Sequence, residues 1–133
     1  MHRYVIDGSE FSTLEEFAKH FSARVLKDHR WNGNLDAFND ILRGGFGTPE
    51  QGFHILWDNS KRSQVALGHS ETVRQLERML GTCHPANREG IAGELAAAKR
   101  GEGPTVFDWL VEIIRDHGPG GSQSDDRVTL ELR

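Results

Sequence analysis

Residues 31–42 read Trp-Asn-Gly-Asn-Leu-Asp-Ala-Phe-Asn-Asp-Ile-Leu, and this stretch predicts a short helix over residues 35–43. Asn34 stands where an N-cap is needed, because its side-chain oxygen can accept a hydrogen bond from an unpaired N–H of the first turn. Gly44 stands where the helix should end, since glycine tolerates the left-handed conformation that often follows a last helical turn.

Two carboxylates, Asp36 and Asp40, lie four residues apart in this stretch, so a helix would present both on one face. Like charges at this spacing destabilise an isolated helix by roughly 0.2–0.5 kcal/mol. Asp40 would also lie in the last turn, where the helix dipole opposes an anion. The pair suggests a surface for a cationic partner, although a solvated helix face is the ordinary role of such charges. A glycosidase pair is disfavoured, because its carboxylates flank a cleft and these would lie on a convex helix.

The composition is that of one ordinary globular domain with a mildly acidic balance. The chain has 133 residues, 36% of them hydrophobic and 27% charged, so a single domain over 1–133 is expected. A net charge of −4 gives no electrostatic reason for direct nucleic-acid binding and favours a basic protein partner. The single cysteine, Cys83, excludes an intrachain disulfide. Without a signal-peptide pattern or a long apolar run, we expect a cytoplasmic protein that binds no membrane.

Outside the acidic stretch, apolar patterns predict strands separated by helices. Residues 4–6 and 53–57 are short apolar runs that end at turn residues, as buried strands do, and residues 128–132 alternate like a third strand. Ser12 and Glu15 suggest a capping box for an intervening helix. Strands separated by helices require crossover connections, so we predict an α/β fold with a small parallel sheet.

The second half of the chain is predicted to be largely helical before the last strand. Two modest helical patterns cover residues 72–80 and 87–100. A stronger pattern then follows Thr105 and Asp108, which resemble a capping box. Residues 118–126 are rich in glycine and polar side chains, and they predict a flexible loop.

No group of side chains predicts catalysis or metal binding. His69, Cys83 and His84 are the closest grouping of soft metal ligands, but they lack the spacing of a zinc motif. The glycine-rich residues 44–48 lack the lysine of a phosphate-binding loop and precede a strand. We therefore expect a protein that is not an enzyme and needs no cofactor.

Trp31 has two interpretations that the sequence does not separate. Its neighbours Arg30 and Asn32 are polar, so it could be an exposed aromatic hot spot beside the acidic helix. It could equally be a half-buried anchor for the loop that precedes the helix.

The run Asn-Leu-Asp-Ala at 34–37, followed by Asp40 and Leu42, resembles the partner-binding segment of the barstar family of ribonuclease inhibitors. The resemblance implies a three-stranded parallel sheet packed with helices. It also implies that the acidic helix blocks a ribonuclease active site, with Asp40 in the phosphate pocket and Asp36 beside a neighbouring cation. We also expect Asn34, Trp31, Asn39 and Gly44 at the partner surface.

The resemblance covers residues 3–59 and 105–133, and it leaves 60–103 as an inserted helical segment. It implies a non-catalytic inhibitor of a basic, barnase-type ribonuclease, which we expect to be monomeric when free. The alternative is a protein-binding or regulatory module of the same fold whose partner is not a ribonuclease.

Overall fold

A three-stranded parallel sheet organises the molecule. The computed structural model describes residues 1–26 and 28–133, and its strands are β1 (His2–Asp7), β2 (Phe53–Asp58) and β3 (Val128–Leu132). β2 is central and pairs in parallel with both neighbours, so that Tyr4, Ile55 and Leu130 lie side by side. The predicted α/β class and parallel sheet are confirmed.

In the residues that the structure describes, six α-helices connect these strands, two of them between β1 and β2 and four between β2 and β3. They are α1 (Leu14–Val25), α2 (Leu35–Arg43), α3 (Ser60–Ala66), α4 (His69–Thr82), α5 (Arg88–Lys99) and α6 (Val106–Asp116). Single 3-10 turns occur at Gly8–Glu10, Pro85–Asn87 and Ser124–Asp126. In the described residues, none of the helices is both long and apolar enough to cross a membrane.

The core lies between the helices and one face of the sheet. Phe53, Ile55 and Trp57 alternate along β2 and are fully buried, as the period of two in a strand requires. α1 packs beside β1 and α6 beside β3. Phe17 of α1 stacks on Trp57, with 5.2 Å between ring centroids, so aromatic packing fixes α1 on the central strand.

The predicted capping box of α1 is wrong by one residue. Thr13, not Ser12, caps the helix, and its hydroxyl oxygen accepts a hydrogen bond from the backbone N–H of Glu16 at 3.1 Å. The Glu16 carboxylate in turn accepts from the N–H of Ser12 at 2.7 Å. This register leaves Glu15 to form ion pairs with α4 instead of capping its own helix.

Helix α3 lies inside the predicted helical segment 60–103, but it was not predicted as a separate helix, because its sequence has no apolar stripe. After β2 the chain turns at Asn59, with φ 55°, and continues directly as this helix. Its inward residues include Ser60 and Ser63. The Ser63 hydroxyl accepts a hydrogen bond from the indole N–H of Trp57 at 2.9 Å, so this helix packs on the core through a polar contact.

The remaining predicted helices are present with small shifts in their ends. α4 and α5 pack together as a helical hairpin, and α6 begins at the predicted capping box of Thr105 and Asp108. The flexibility of 118–126 stays a prediction. Within that loop, the Ser122 hydroxyl and N–H both donate hydrogen bonds to the Asp116 carboxylate.

Candidate partner-binding site

Helix α2 begins and ends as its sequence predicts. The Asn34 side-chain oxygen accepts a hydrogen bond from the N–H of Ala37 at 3.0 Å, which satisfies one donor of the first turn. Gly44 follows the last turn with φ 106°, and its N–H donates to the carbonyl of Ile41 at 3.1 Å. A side chain at position 44 would be strained by this backbone conformation.

Trp31 anchors α2 to the core and is not an exposed hot spot. Its indole stacks on Phe38 with 4.5 Å between ring centroids and 11° between the planes, and Trp31 is only 5% exposed. Its indole N–H donates to the carbonyl of Asn34 at 2.7 Å, and its backbone N–H donates to the Ser22 hydroxyl at 2.9 Å. The partner-binding role predicted for Trp31 is therefore corrected, because the ring is covered by the helix that it supports.

Asp36 and Asp40 project from the outer face of α2. Both are exposed, while Phe38, Ile41 and Leu42 of the same helix are buried. Asp40 is 63% exposed at its side chain, and its carboxylate lies 3.4 Å from the guanidinium of Arg43, which is itself 55% exposed. Such an exposed pair contributes only about 0–1 kcal/mol, so the carboxylate remains accessible to a stronger cationic partner.

Asn39 points away from this outer face and binds within the protein. Its side-chain oxygen lies 3.0 Å from Nε2 of His117, a residue with no exposed surface at the end of α6. The other ring nitrogen, Nδ1, lies 2.6 Å from the Asp126 carboxylate. Asn39 is therefore a link between α2, α6 and the loop before β3, and its direct contact with a partner stays a prediction.

A groove runs beside α2, between α6 and the α4–α5 hairpin, and encloses about 460 Å³. The residues that line it are Leu35, Asn39, Met79, Glu94, Trp109, Glu112, Ile113 and Asp116. Hydrogen bonds from the N–H and the hydroxyl of Ser122, followed by one from Gln123, hold the pKa of the Asp116 carboxyl below its usual value. This end of the groove therefore carries a negative charge at neutral pH.

A family model described as "Barstar (barnase inhibitor)" matches residues 1–92, which is a little over two thirds of the chain. The chain belongs to the barstar family. The match contains α2 with both exposed carboxylates, and it continues through α3 and α4, which lie in the segment that was predicted to be an insertion. No significant match was found among curated proteins or among solved structures.

A second acidic cluster in this barstar-family protein has internal partners. Glu71 of α4 is buried and accepts hydrogen bonds from the backbone N–H of Leu14 at 2.8 Å and from the side chain of Gln75 at 3.0 Å. Burial raises its pKa, but donors led by Arg74 outweigh that effect, and the pKa of Glu71 is lowered overall. Glu15 of α1 pairs with Arg74 and Arg78 beside it. These carboxylates fasten α4 to the start of α1.

The histidine and cysteine side chains of this family member do not assemble a metal site in the described residues. Across 1–26 and 28–133, no group of three or more His, Cys, Asp or Glu side chains is placed to hold a metal ion. His69 faces the carbonyl of Gly103, at 3.1 Å from Nε2, and the ring nitrogen of His84 accepts from the N–H of Ala86 at 3.0 Å. Both histidines thus contact backbone groups, His84 within its own turn and His69 across 34 residues of sequence.

The sequence identified the acidic face and its cap but missed the residues that orient the helix. His117 gave no recognisable signal, because 78 residues of sequence separate it from Asn39. Asp126 gave none either, because it contacts His117 and not α2 itself. The groove was missed for the same reason, since its lining comes from four separate helices. Local sequence patterns record the period and caps of a single helix or strand, and they do not record contacts between distant elements.

Proposed function

We propose that this barstar-family protein inhibits a basic, barnase-type ribonuclease by inserting α2 into the enzyme's active site. The observation that carries the proposal is the pair of exposed carboxylates, Asp36 and Asp40, on a helix whose opposite face is buried. A ribonuclease must bind the phosphates of RNA with cationic donors. A carboxylate can occupy the same donors, because arginine forms bidentate, charge-assisted hydrogen bonds with carboxylates as well as with phosphates.

Asp40 is the main phosphate mimic and Asp36 is the second anion in this proposal. Asp40 lies beside Arg43, and the exchange of that weak, exposed pair for a desolvated pair with the enzyme favours binding. Gly44 lets the enzyme approach the end of the helix closely. Asn34 contributes by capping the helix.

Rigid support of α2 favours tight binding, because less conformational freedom is lost when the complex forms. The stacked ring of Trp31 holds Phe38 from one side. The contact between Asn39 and His117 joins the same helix to the end of α6. The acidic balance of the chain would also speed its encounter with a basic enzyme.

The test is inhibition kinetics with a panel of purified, basic, barnase-type ribonucleases that includes barnase. A short RNA is the substrate, and the inhibitor is titrated from nanomolar to micromolar concentration. We expect at least one enzyme to be inhibited at one-to-one stoichiometry, with KM raised and kcat unchanged at saturating substrate. Absence of inhibition across the panel, or inhibition that substrate does not relieve, would contradict the proposal and favour a partner of another class.

A further inference from the structure

The groove between α2, α6 and the α4–α5 hairpin has the chemistry of a site for a cationic side chain. Its apolar lining includes Leu35, Trp109 and Ile113, which are partly buried against the core. Three carboxylates complete the lining: Glu94, Glu112 and Asp116. Of the described residues that line the groove, none is lysine or arginine.

Aromatic and acidic groups in one groove fit an arginine or lysine better than a neutral ligand. A guanidinium can stack on the Trp109 ring, because the electron-rich face of an indole attracts cations. Its N–H groups can at the same time reach the exposed carboxylates of Glu94 and Glu112. Asp116 contributes negative charge to the groove. Its carboxylate has few acceptor sites left for a ligand, because Ser122 already donates hydrogen bonds to it.

The groove adjoins the face of α2 that carries the two exposed carboxylates. Leu35 and Asn39 line it, and each precedes one of those carboxylates by a single residue, which is about 100° around the helix. A protein that covers Asp36 and Asp40 therefore reaches the rim of the groove. The far wall consists of Met79 of α4 and Glu94 of α5.

We propose that the α4–α5 hairpin is a second partner-binding element, and that the groove receives a basic side chain from the same ribonuclease that α2 blocks. The inference rests on the proposed function and names a further contact within it. Glu94 is its specificity-determining residue, because this exposed carboxylate comes from the hairpin and not from the helices beside the sheet. Charge complementarity is the reason for the assigned occupant, since an enzyme that binds RNA has a basic surface around its active site.

The experiment measures the dissociation constants of Glu94→Gln and Glu94→Lys for whichever panel ribonuclease the wild type inhibits. Glu89→Lys is the matched control, because Glu89 is exposed on the same helix and lies about 140° around it from Glu94. We expect binding to weaken about fivefold for Glu94→Gln and about twentyfold or more for Glu94→Lys, with less than a twofold change for Glu89→Lys. Melting curves check that each variant folds.

Carbodiimide labelling of carboxylates supplies a second measurement that does not depend on a substitution. In the complex, labelling of Glu94 should fall together with that of Asp40, while labelling of Glu89 should not. If Asp40→Ala abolishes binding but both Glu94 variants bind like the wild type and Glu94 stays reactive, the hairpin proposal is wrong and the inhibitor proposal stands. If no panel enzyme is inhibited at all, both proposals fail.

Discussion

The two acidic clusters of this molecule differ in what surrounds their carboxylates. Glu71, between α1 and α4, is buried and receives hydrogen bonds from a backbone N–H, a glutamine and an arginine. Asp36 and Asp40 on α2 are exposed, and the cation that faces Asp40 is an exposed side chain of the same helix, Arg43. The first arrangement stabilises the fold, whereas the second leaves charge available to another molecule. Exposure and internal donors, more than the number of carboxylates, therefore distinguish a binding surface from a structural ion pair.

The largest expected effect is on binding, from Asp40→Ala. Removal of one member of a desolvated charge pair at an interface typically costs about 2–5 kcal/mol, so the inhibition constant should rise at least about 30-fold. Barnase–barstar is one of the complexes on which this range is based, so the expected size of the effect comes from the family. The melting temperature should stay within a few degrees of the wild type, because Asp40 is exposed.

The matched control for Asp40→Ala is Glu77→Ala, which removes another exposed carboxylate, from α4. This control should leave the inhibition constant unchanged within a factor of two. An inhibition constant that stays at its wild-type value for Asp40→Ala, or one that rises equally for Glu77→Ala, would contradict the binding role assigned to the exposed pair on α2.

The next effect is on stability, from Glu71→Ala. This change leaves the N–H of Leu14 and the guanidinium of Arg74 without their shared acceptor. We expect the free energy of unfolding to fall by about 1–3 kcal/mol, the usual cost of leaving buried donors unsatisfied. Urea denaturation measures the change, and inhibition assayed well below the melting temperature should be preserved. A stable variant that has lost inhibition would reverse the roles assigned to the clusters.

Salt should affect the two clusters differently. Raising ionic strength from about 0.05 M to 0.5 M should slow association with the ribonuclease about tenfold, since exposed charges at Asp36 and Asp40 are screened. Stopped-flow mixing measures this rate. The free energy of unfolding should change little by comparison, because Glu71 is shielded from the solvent. An association rate that is independent of salt would argue against electrostatic steering.

The smallest effect is on the pH dependence of stability, and it comes from Asp7. This carboxylate lies near the surface but accepts hydrogen bonds from other residues of the protein. Hydrogen bonds from Ser9, followed by one from Asn59, lower the pKa of Asp7 from 3.8 to about 2. A lowered pKa in the folded state means that Asp7 adds stability above pH 3.8, and that this contribution disappears as the pH falls towards 2. Unfolding measured from pH 5 to 2 should therefore show a shallower loss of stability for Asp7→Asn than for the wild type. Equal slopes would contradict this assignment.

The parts of the fold that the sequence predicted are those with a local apolar period or a cap. The three strands, α2 and α6 belong to this class, as do Asn34 as a cap and Gly44 as a stop. Helix α3 was missed because it packs through the Ser63 hydroxyl and not through an apolar stripe. Trp31 could not be assigned, because its burial depends on Phe17 and Phe21 of another helix.

The residues of the candidate site divide in the same way into those that a local pattern predicts and those that depend on distant contacts. The exposed pair on α2 could be predicted from a spacing of four residues, whereas the contact of Asn39 with His117 joins residues from opposite ends of the chain. The groove likewise depends on how α4, α5 and α6 pack beside α2. Tertiary packing, which no local period records, brings these side chains together.

Competition with a mononucleotide tests most directly whether Asp40 occupies a phosphate pocket. The apparent dissociation constant of the complex with an inhibited panel ribonuclease is measured at rising concentrations of a 3′-mononucleotide, with ionic strength held constant by sodium chloride. Phosphate mimicry predicts that the constant rises in proportion to nucleotide concentration once the enzyme is half saturated with nucleotide. A constant that does not change while the nucleotide fills the active site would show that α2 binds elsewhere, and would contradict the proposed role of Asp40.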